Sequence, residues 1–143
     1  MKKKYFLWSI LPLVAVVMFS ICLMSCSSDD DDNDDYVSVP SDLIGTWYKT
    51  SGADKYNLTF TFNSDGTGIG DKSHKKIYSL ATYSYTYKYK SNGDVVCDYT
   101  CVMVDEDGEQ KGQGTMIFNY NNGKLTFTKA PNSSWVGCEF SKD

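Results

Sequence analysis

Thr82-Tyr83-Ser84-Tyr85-Thr86-Tyr87-Lys88-Tyr89 places a tyrosine at every second residue, with small or polar residues between. Because successive side chains of a strand point to opposite faces, this alternation predicts a half-buried β-strand with its tyrosines turned inward. Residues 56–62 repeat the pattern, with four apolar side chains on one face. Strands of this kind indicate a sheet with one buried face.

Further runs of this type are separated by turn signals such as Asn92-Gly93, Asp107-Gly108 and Asn122-Gly123. Asn-Gly and Asp-Gly suit tight hairpins because their backbones tolerate positive φ. No segment has a sustained helical period. We therefore predict an all-β fold, an antiparallel up-and-down meander that closes into an approximately eight-stranded barrel, since closure removes exposed edges. The predicted strands are 43–50, 56–62, 67–70, 77–89, 95–104, 112–120, 124–129 and 135–141.

The strand 95–104 differs from the others because both of its faces are apolar. One face carries Cys97, Tyr99, Cys101 and Met103, and the other carries three valines. A strand with one solvated face needs only one apolar side. We expect the segment before the domain, or a partner, to cover the second face.

The N-terminal region resembles a bacterial lipoprotein signal peptide. Three lysines precede an apolar span, Tyr5–Leu23, and Leu23-Met24-Ser25-Cys26 has the form of a lipobox. A positive start, an apolar span and a small residue before the cut mark a secretory signal. A retained membrane helix is the alternative for a span of this length, but Pro12 interrupts it and no positive cluster follows. We expect residues 1–25 to be removed and Cys26 to become the lipid-attachment residue.

Six aspartates lie within residues 29–35, directly after this cysteine. Like charges repel and extend a chain, so residues 26–40 are predicted to form an acidic flexible tether and residues 41–143 the folded domain. An acidic block here also resembles the surface-export signal of Bacteroidota lipoproteins. The resemblance implies a protein that is lipid-anchored in the outer membrane and exposed at the cell surface. Retention on the periplasmic face is the alternative.

The domain itself is almost neutral. From Tyr36 onward, 12 acidic residues stand against 11 lysines, and the chain contains no arginine. It has no basic patch, which is the electrostatic signature of nucleic-acid binding, so we expect no nucleic-acid partner.

Three cysteines fall within the domain. Cys97 and Cys101 are four residues apart on one predicted strand, roughly 13 Å at about 3.3 Å per residue, which is too far for a disulfide. Any disulfide must therefore join Cys138 to one of them. Three buried thiols are the alternative.

Two motifs point to a family. Leu43-Ile44-Gly45-Thr46-Trp47-Tyr48 contains Gly-x-Trp, and Phe62-Asn63-Ser64-Asp65-Gly66-Thr67-Gly68 contains Phe-x-x-Asp-Gly-Thr-Gly. They resemble the lipocalin-like domains of Bacteroidota lipoproteins. The resemblance implies an eight-stranded up-and-down barrel over most of residues 42–140, often without an assigned activity, with Trp47 plugging one barrel end.

Larger lipocalins usually hold an arginine over this tryptophan. Since the chain has no arginine, the resemblance implies that this brace is missing or that a lysine such as Lys129 or Lys142 replaces it.

The sequence offers little catalytic chemistry. His74 is the sole histidine and lies in a polar loop, where we expect it to be exposed. The acidic run Asp105–Glu109 lacks the ligand spacing of an EF-hand and suits a hairpin tip equally well. No nucleophile, base and orienting group occur together. We therefore expect neither an enzyme nor a resident metal or cofactor.

The tyrosine row is the best candidate for a binding site. Rings and hydroxyls that face a barrel interior suit a sugar or an amphiphilic small molecule. The candidate ligand-binding residues are Trp47, Tyr83, Tyr85, Tyr87 and Tyr99. The alternative is that these rings fill the interior, since eight strands enclose a space that side chains can fill.

Two functional hypotheses follow. In the first, a surface lipoprotein binds a small amphiphile or glycan in a non-catalytic barrel. In the second, a filled barrel is a structural or interaction module that contacts another cell-envelope protein. In both, the protein meets the membrane through the lipid on Cys26. An aromatic-lined cavity would favour the first hypothesis, and a filled interior with an exposed apolar patch would favour the second.

Overall fold

The computed structural model describes residues 35–52, 55–74 and 80–143, and its folded unit spans Asp35–Asp143. Within this described part, strands and two 3₁₀ turns follow one another along the chain. The strands are β1 Tyr36–Val37, β2 Gly45–Ser51, β3 Asn57–Phe62, β4 Thr67–Ser73, β5 Leu80–Lys90, β6 Asp94–Asp105, β7 Gly108–Asn121, β8 Lys124–Lys129 and β9 Glu139–Ser141. The 3₁₀ turns are Ser41–Leu43 and Ser133–Trp135.

The strands β2 to β9 form one antiparallel sheet that closes on itself. Each pairs with the next along the chain, and β9 pairs back with β2. The predicted eight-stranded, antiparallel, up-and-down barrel is confirmed. It agrees with the barrel that the lipocalin resemblance implies.

The short strand β1 lies outside this circuit. Tyr36 is opposite Lys90 and Val37 is opposite Tyr89, at the end of β5. The Nζ atoms of Lys88 and Lys90 lie 4.9 and 5.1 Å from the centroid of the Tyr36 ring. No sequence pattern predicts this strand, because two residues are too few to show a period. These residues belong to the stretch expected to be the tether, so the end of that stretch is held on the barrel wall.

The strand β7 begins earlier than predicted, at Gly108 instead of residue 112. Its first half, residues 108–114, pairs with the second half of β6, residues 99–105. Most side chains of this first half are exposed on both faces. No hydrophobic alternation therefore marks it in the sequence.

The predicted strand 135–141 is a strand only from Glu139 onward. The side chain of Asn132 accepts a hydrogen bond from the Ser134 N–H at 2.9 Å and so caps the second 3₁₀ turn. Gly137 follows with φ +86°, a conformation that favours glycine. This turn brings Trp135 into the core, where it is 1% exposed.

The turn between β3 and β4 is built as the motif predicts. Gly66 has φ +83°. The Asp65 Oδ1 accepts hydrogen bonds from the Thr67 N–H at 2.9 Å and from its Oγ1 at 2.6 Å. These two bonds, the side-chain bond first, lower the pKa of Asp65. Asp65 and Gly66 therefore serve the hairpin.

The inward tyrosines were predicted correctly. Tyr83, Tyr85 and Tyr87 are only 3, 4 and 5% exposed. Glycines at the inward positions 68 and 70 of β4 leave room for the rings of the neighbouring strands. A Cβ at Gly68 would clash with the Tyr85 ring, and a Cβ at Gly70 would clash with the Phe60 ring.

The two ends of the barrel differ. At the end where β5 finishes, the first 3₁₀ turn brings Leu43 against Trp47, and both are buried. We call this the plugged end. At the opposite end, β6 and β7 are joined by the turn at residues 106–107. We call this the hairpin end.

Candidate functional site

Aromatic rings fill the middle of the barrel. The centroid of Phe60 lies 5.1, 5.3 and 5.6 Å from those of Phe118, Phe127 and Phe140. The rings of Phe118 and Phe127 stack at 4.0 Å. Most of these contacts are edge-to-face, the arrangement that aromatic pairs prefer. These rings occupy the space that a deep ligand cup would need.

Two of the candidate tyrosines donate hydrogen bonds from their hydroxyls to main-chain carbonyls. Tyr85 donates to the carbonyl of Thr61 at 2.7 Å, and Tyr87 donates to the carbonyl of Asn63 at 2.6 Å. Burial raises the pKa of both phenols, so both remain protonated donors at neutral pH. Tyr85 and Tyr87 therefore brace β5 against β3.

Trp47 belongs to the plugged end. It is 1% exposed, and its Nε1–H donates to the Leu43 carbonyl at 2.9 Å. The Nζ of Lys142 lies 5.5 Å from the Trp47 ring centroid and donates to the Ile44 carbonyl at 2.8 Å. Lys142, and not Lys129, takes the place over this ring that the resemblance gives to an arginine.

The remaining candidates, Tyr83 and Tyr99, lie toward the hairpin end, in contact with side chains that the sequence did not single out. Their ring centroids are 5.5 Å apart, and that of Tyr83 is 6.1 Å from that of Trp135. The Nζ of Lys72 lies 3.8 Å from the Tyr56 ring centroid and 5.5 Å from that of Trp135. We call Tyr56, Lys72, Tyr83, Tyr99 and Trp135 the hairpin-end cluster.

Three members of this cluster, Lys72, Tyr83 and Tyr99, have polar groups without a hydrogen-bond or ion-pair partner among the described residues. Among the described residues, none forms a hydrogen bond with the Tyr83 or Tyr99 hydroxyl, and none forms an ion pair with Lys72. Burial raises the pKa of both phenols, so they are neutral hydroxyls at physiological pH. A cation beside aromatic faces and two hydroxyls can contact a carboxylate, a phosphate or a sugar.

The inward position of Lys72 could have been predicted from the sequence, but the predicted strand 67–70 ends before this residue. The inward positions of β4 are Gly68, Gly70 and Lys72, in strict alternation. Extending that strand by two residues would have placed the lysine inside the barrel. No comparable signal exists for Trp135, because its inward position depends on a turn.

Other candidate chemistry can be located in the same structure. His74 is half-buried, not exposed as predicted, because its ring packs 5.3 Å from that of Tyr56. Asp105 accepts from the Asp107 N–H at 2.9 Å and from Gln110 Nε2 at 3.2 Å, as expected for a hairpin tip. Across residues 35–52, 55–74 and 80–143, no group of three His, Cys, Asp or Glu side chains could hold a metal ion.

The three cysteines of the domain are buried, and none forms a disulfide with another described residue. Burial, and secondarily the nearby Asp98, raises the pKa of Cys97 well above its usual value. A thiol held in its protonated form is a poor nucleophile. Cys97 is therefore a packing residue.

A small apolar patch lies on the outer wall at the hairpin end. Leu80, Val102 and Val104 are 55, 38 and 45% exposed, and Leu80 is directly opposite Val104. We call these three residues the valine patch. Within the described ranges nothing buries it, so the cover expected for the outer face of β6 is not supplied there.

Comparison with known proteins adds no relative: no family model, no curated protein and no solved structure matches the chain. In the part of the chain that the structure describes, no helix has the length and apolar character needed to cross a membrane.

Proposed function

We propose that this protein is a lipid-anchored envelope protein whose barrel acts by contacting another envelope protein, without catalysis. The observation that carries this proposal is the filled interior. Phe60 and its neighbouring rings occupy the centre, and Tyr85 and Tyr87 are bonded to main-chain carbonyls. In a barrel packed in this way, the side chains that can contact a partner lie at the surface.

The valine patch is the contact face that we propose. Its side chains adjoin one another across β5 and β6, in a wall that is otherwise rich in threonine, serine and charged residues. Contiguous exposed apolar side chains favour association, because burying them removes apolar area from water.

Site-specific photo-crosslinking in the native host tests this face. A photo-reactive residue at Val102 should give one discrete adduct with an envelope protein. The matched control carries the same residue at Ser141, which is exposed on β9. Equal adduct patterns from the two positions, or none from Val102, would contradict the proposed contact.

The anchor is a separate part of the proposal. The support for it is the motif Leu23-Met24-Ser25-Cys26 with its acidic continuation. Cys26→Ser should abolish acylation and release the protein from the membrane fraction, while Cys22→Ser should leave both unchanged. Lipid found at the mature N-terminus of Cys26→Ser by mass spectrometry would refute the assignment.

Surface export rests on the acidic tether. Changing Asp29–Asp32 to alanine should leave folding intact, since a charged extended segment contributes little to a core, and should lower exposure at the cell surface. Protease shaving of intact cells measures this. Equal cleavage of mutant and wild type would leave the periplasmic face as the location.

A second candidate function is binding of a small anionic amphiphile or glycan by the hairpin-end cluster. The observation that favours it is the group of Lys72, Tyr83 and Tyr99: no described residue forms an ion pair with the lysine or a hydrogen bond with either hydroxyl. This site is smaller than the row first predicted, because Tyr85, Tyr87 and Trp47 belong to the packed barrel.

A thermal-shift series of fatty acids and envelope glycans tests the second candidate. A ligand should stabilise the wild type and the Tyr85→Phe control, and should stabilise Lys72→Gln or Tyr83→Phe several-fold less. The loss of one hydrogen bond is worth about 0.5–1.5 kcal/mol. Equal shifts in all four proteins, or no shift at millimolar ligand, would remove this candidate.

A further inference from the structure

The strand β7 has a long strand neighbour on one side and a shorter one on the other. On one side β7 pairs with the whole of β6, from Asp94 to Asp105. On the other side β8 reaches only Ile117–Asn121. Among the described residues, the segment 108–116 therefore has a strand neighbour on one side only. We call residues 108–116 the free edge.

The direction of its main-chain groups follows from one hydrogen bond. The Ile117 carbonyl accepts from Thr128 Oγ1 of β8 at 3.2 Å, so it points away from β6. Along an antiparallel strand the N–H and C=O pairs alternate between the two sides, and the β6–β7 register runs without a shift. The residues whose N–H and C=O point out of the free edge are Glu109, Lys111, Gln113 and Thr115.

The free edge lacks two of the devices that normally protect a sheet edge. It has no proline and no bulge in its pairing with β6. Proline, bulges and charged side chains, lysine above all, are the usual barriers to edge-to-edge pairing. Its two charged side chains are opposite in sign. The Glu109 Oε1 lies 3.5 Å from the Lys111 Nζ, and the two side chains are 56 and 76% exposed. The segment therefore carries no net charge that would repel a copy of itself.

We propose that residues 108–112 of the free edge pair antiparallel with the same residues of a second copy of this chain, about a two-fold axis at Gln110. In this register Glu109 of each copy lies opposite Lys111 of the other. Both residues direct their main-chain groups outward, so the two copies exchange hydrogen bonds there. Moving the axis to Lys111 would set two ammonium groups opposite each other, which is unfavourable.

The pairing uses the same patch on both copies, as a two-fold interface requires. It joins two barrels through one continuous sheet and leaves the valine patch on the outer wall. This inference goes beyond the proposed function, because it holds whether or not the valine patch binds another protein.

Disulfide trapping of the full-length protein in cell membranes tests the register. Even-numbered residues of the free edge form the non-hydrogen-bonded pairs, whose Cα atoms lie about 4.5 Å apart, within the range for a disulfide. Gln110→Cys should therefore yield a covalent dimer on oxidation. Ser141→Cys is the matched exposed control and should stay monomeric, as should the wild type with its three buried thiols.

Charge reversal then tests the ion pairs. In the Gln110→Cys background, Glu109→Lys or Lys111→Glu should slow dimer formation about tenfold, since two attractive cross-strand pairs become repulsive. The double exchange should restore the rate. Absence of the Gln110→Cys dimer would overturn the proposal, as would an equal yield from Ser141→Cys or single reversals without effect. An adduct of Gln110→Cys with a different protein, in place of the dimer, would also overturn it.

Discussion

The plugged end and the hairpin end contain aromatic side chains that are buried almost equally, yet their polar atoms are used differently. Trp47, Tyr85 and Tyr87 each donate a hydrogen bond to a main-chain carbonyl. Tyr83 is as buried as Tyr85, but no described residue accepts a hydrogen bond from its hydroxyl. Burial alone thus does not show whether a tyrosine hydroxyl braces the barrel. The partner of the hydroxyl does.

The largest effect should come from removing the plug. Trp47→Ala should lower the free energy of unfolding by about 3–5 kcal/mol, because it deletes a buried ring and leaves a cavity. Denaturant unfolding measures this. Trp47→Phe keeps most of the volume and should cost less. A midpoint for Trp47→Ala equal to that of the wild type would show that the plugged end contributes nothing to stability.

A smaller difference should separate two glycines. Gly68→Ala should destabilise by about 1–3 kcal/mol, because the added Cβ clashes with the Tyr85 ring in a packed interior. At the hairpin end, the Cβ of Gly112→Ala would meet only the Cys101 Sγ, at 3.0 Å. That change should cost clearly less in the same unfolding assay. Equal costs would mean that the two ends are packed alike.

Removal of single hydroxyls should sharpen the comparison further. Tyr85→Phe and Tyr87→Phe should each cost about 0.5–1.5 kcal/mol, the contribution of one hydrogen bond. Tyr83→Phe and Tyr99→Phe should leave thermal stability unchanged. If Tyr83→Phe destabilised as much as Tyr85→Phe, its hydroxyl would be a structural group and the second candidate function would lose its basis.

The smallest effect concerns pH. Burial raises the pKa of Tyr85 above the ordinary value of 10.0, so the folded state keeps its proton at pH 10 while half of the unfolded chains have lost theirs. Stability is therefore full well below pH 10 and falls as the pH rises through it, and the loss for this residue is about 0.4 kcal/mol at pH 10. Tyr85→Phe should remove that part of the alkaline loss, and an unchanged pH profile would contradict the assignment.

The alternation of apolar and polar residues was sufficient to predict the barrel and its inward tyrosines, because it indicates within each strand which face is buried. It could not predict the partners of the hydroxyls. Whether Tyr85 reaches Thr61 depends on the register of β3, β4 and β5 together. Elements without a period were also missed, namely the short strand β1 and the turn that buries Trp135.

The glycines of β4 show a different limit. Gly68 and Gly70 lie within the predicted strand 67–70, as the structure has them, whereas Gly66 serves the preceding turn. The sequence did not predict that Gly68 and Gly70 accommodate rings from the neighbouring strands. The residue type was informative, but its role depended on side chains that lie close only after folding.

The pairing of β2 with β9 has a consequence for the order in which the barrel can form. Tyr48 is opposite Ser141, and Lys142 closes over Trp47, so contacts that complete the wall join the two extremes of the domain sequence. Contacts between residues so far apart slow folding, because a long loop must close before they form. A chain that emerges from its N-terminus can assemble the hairpins from β3 to β8 one after another. Its first barrel strand, β2, must wait with one side unpaired until β9, Glu139–Ser141, has been synthesised.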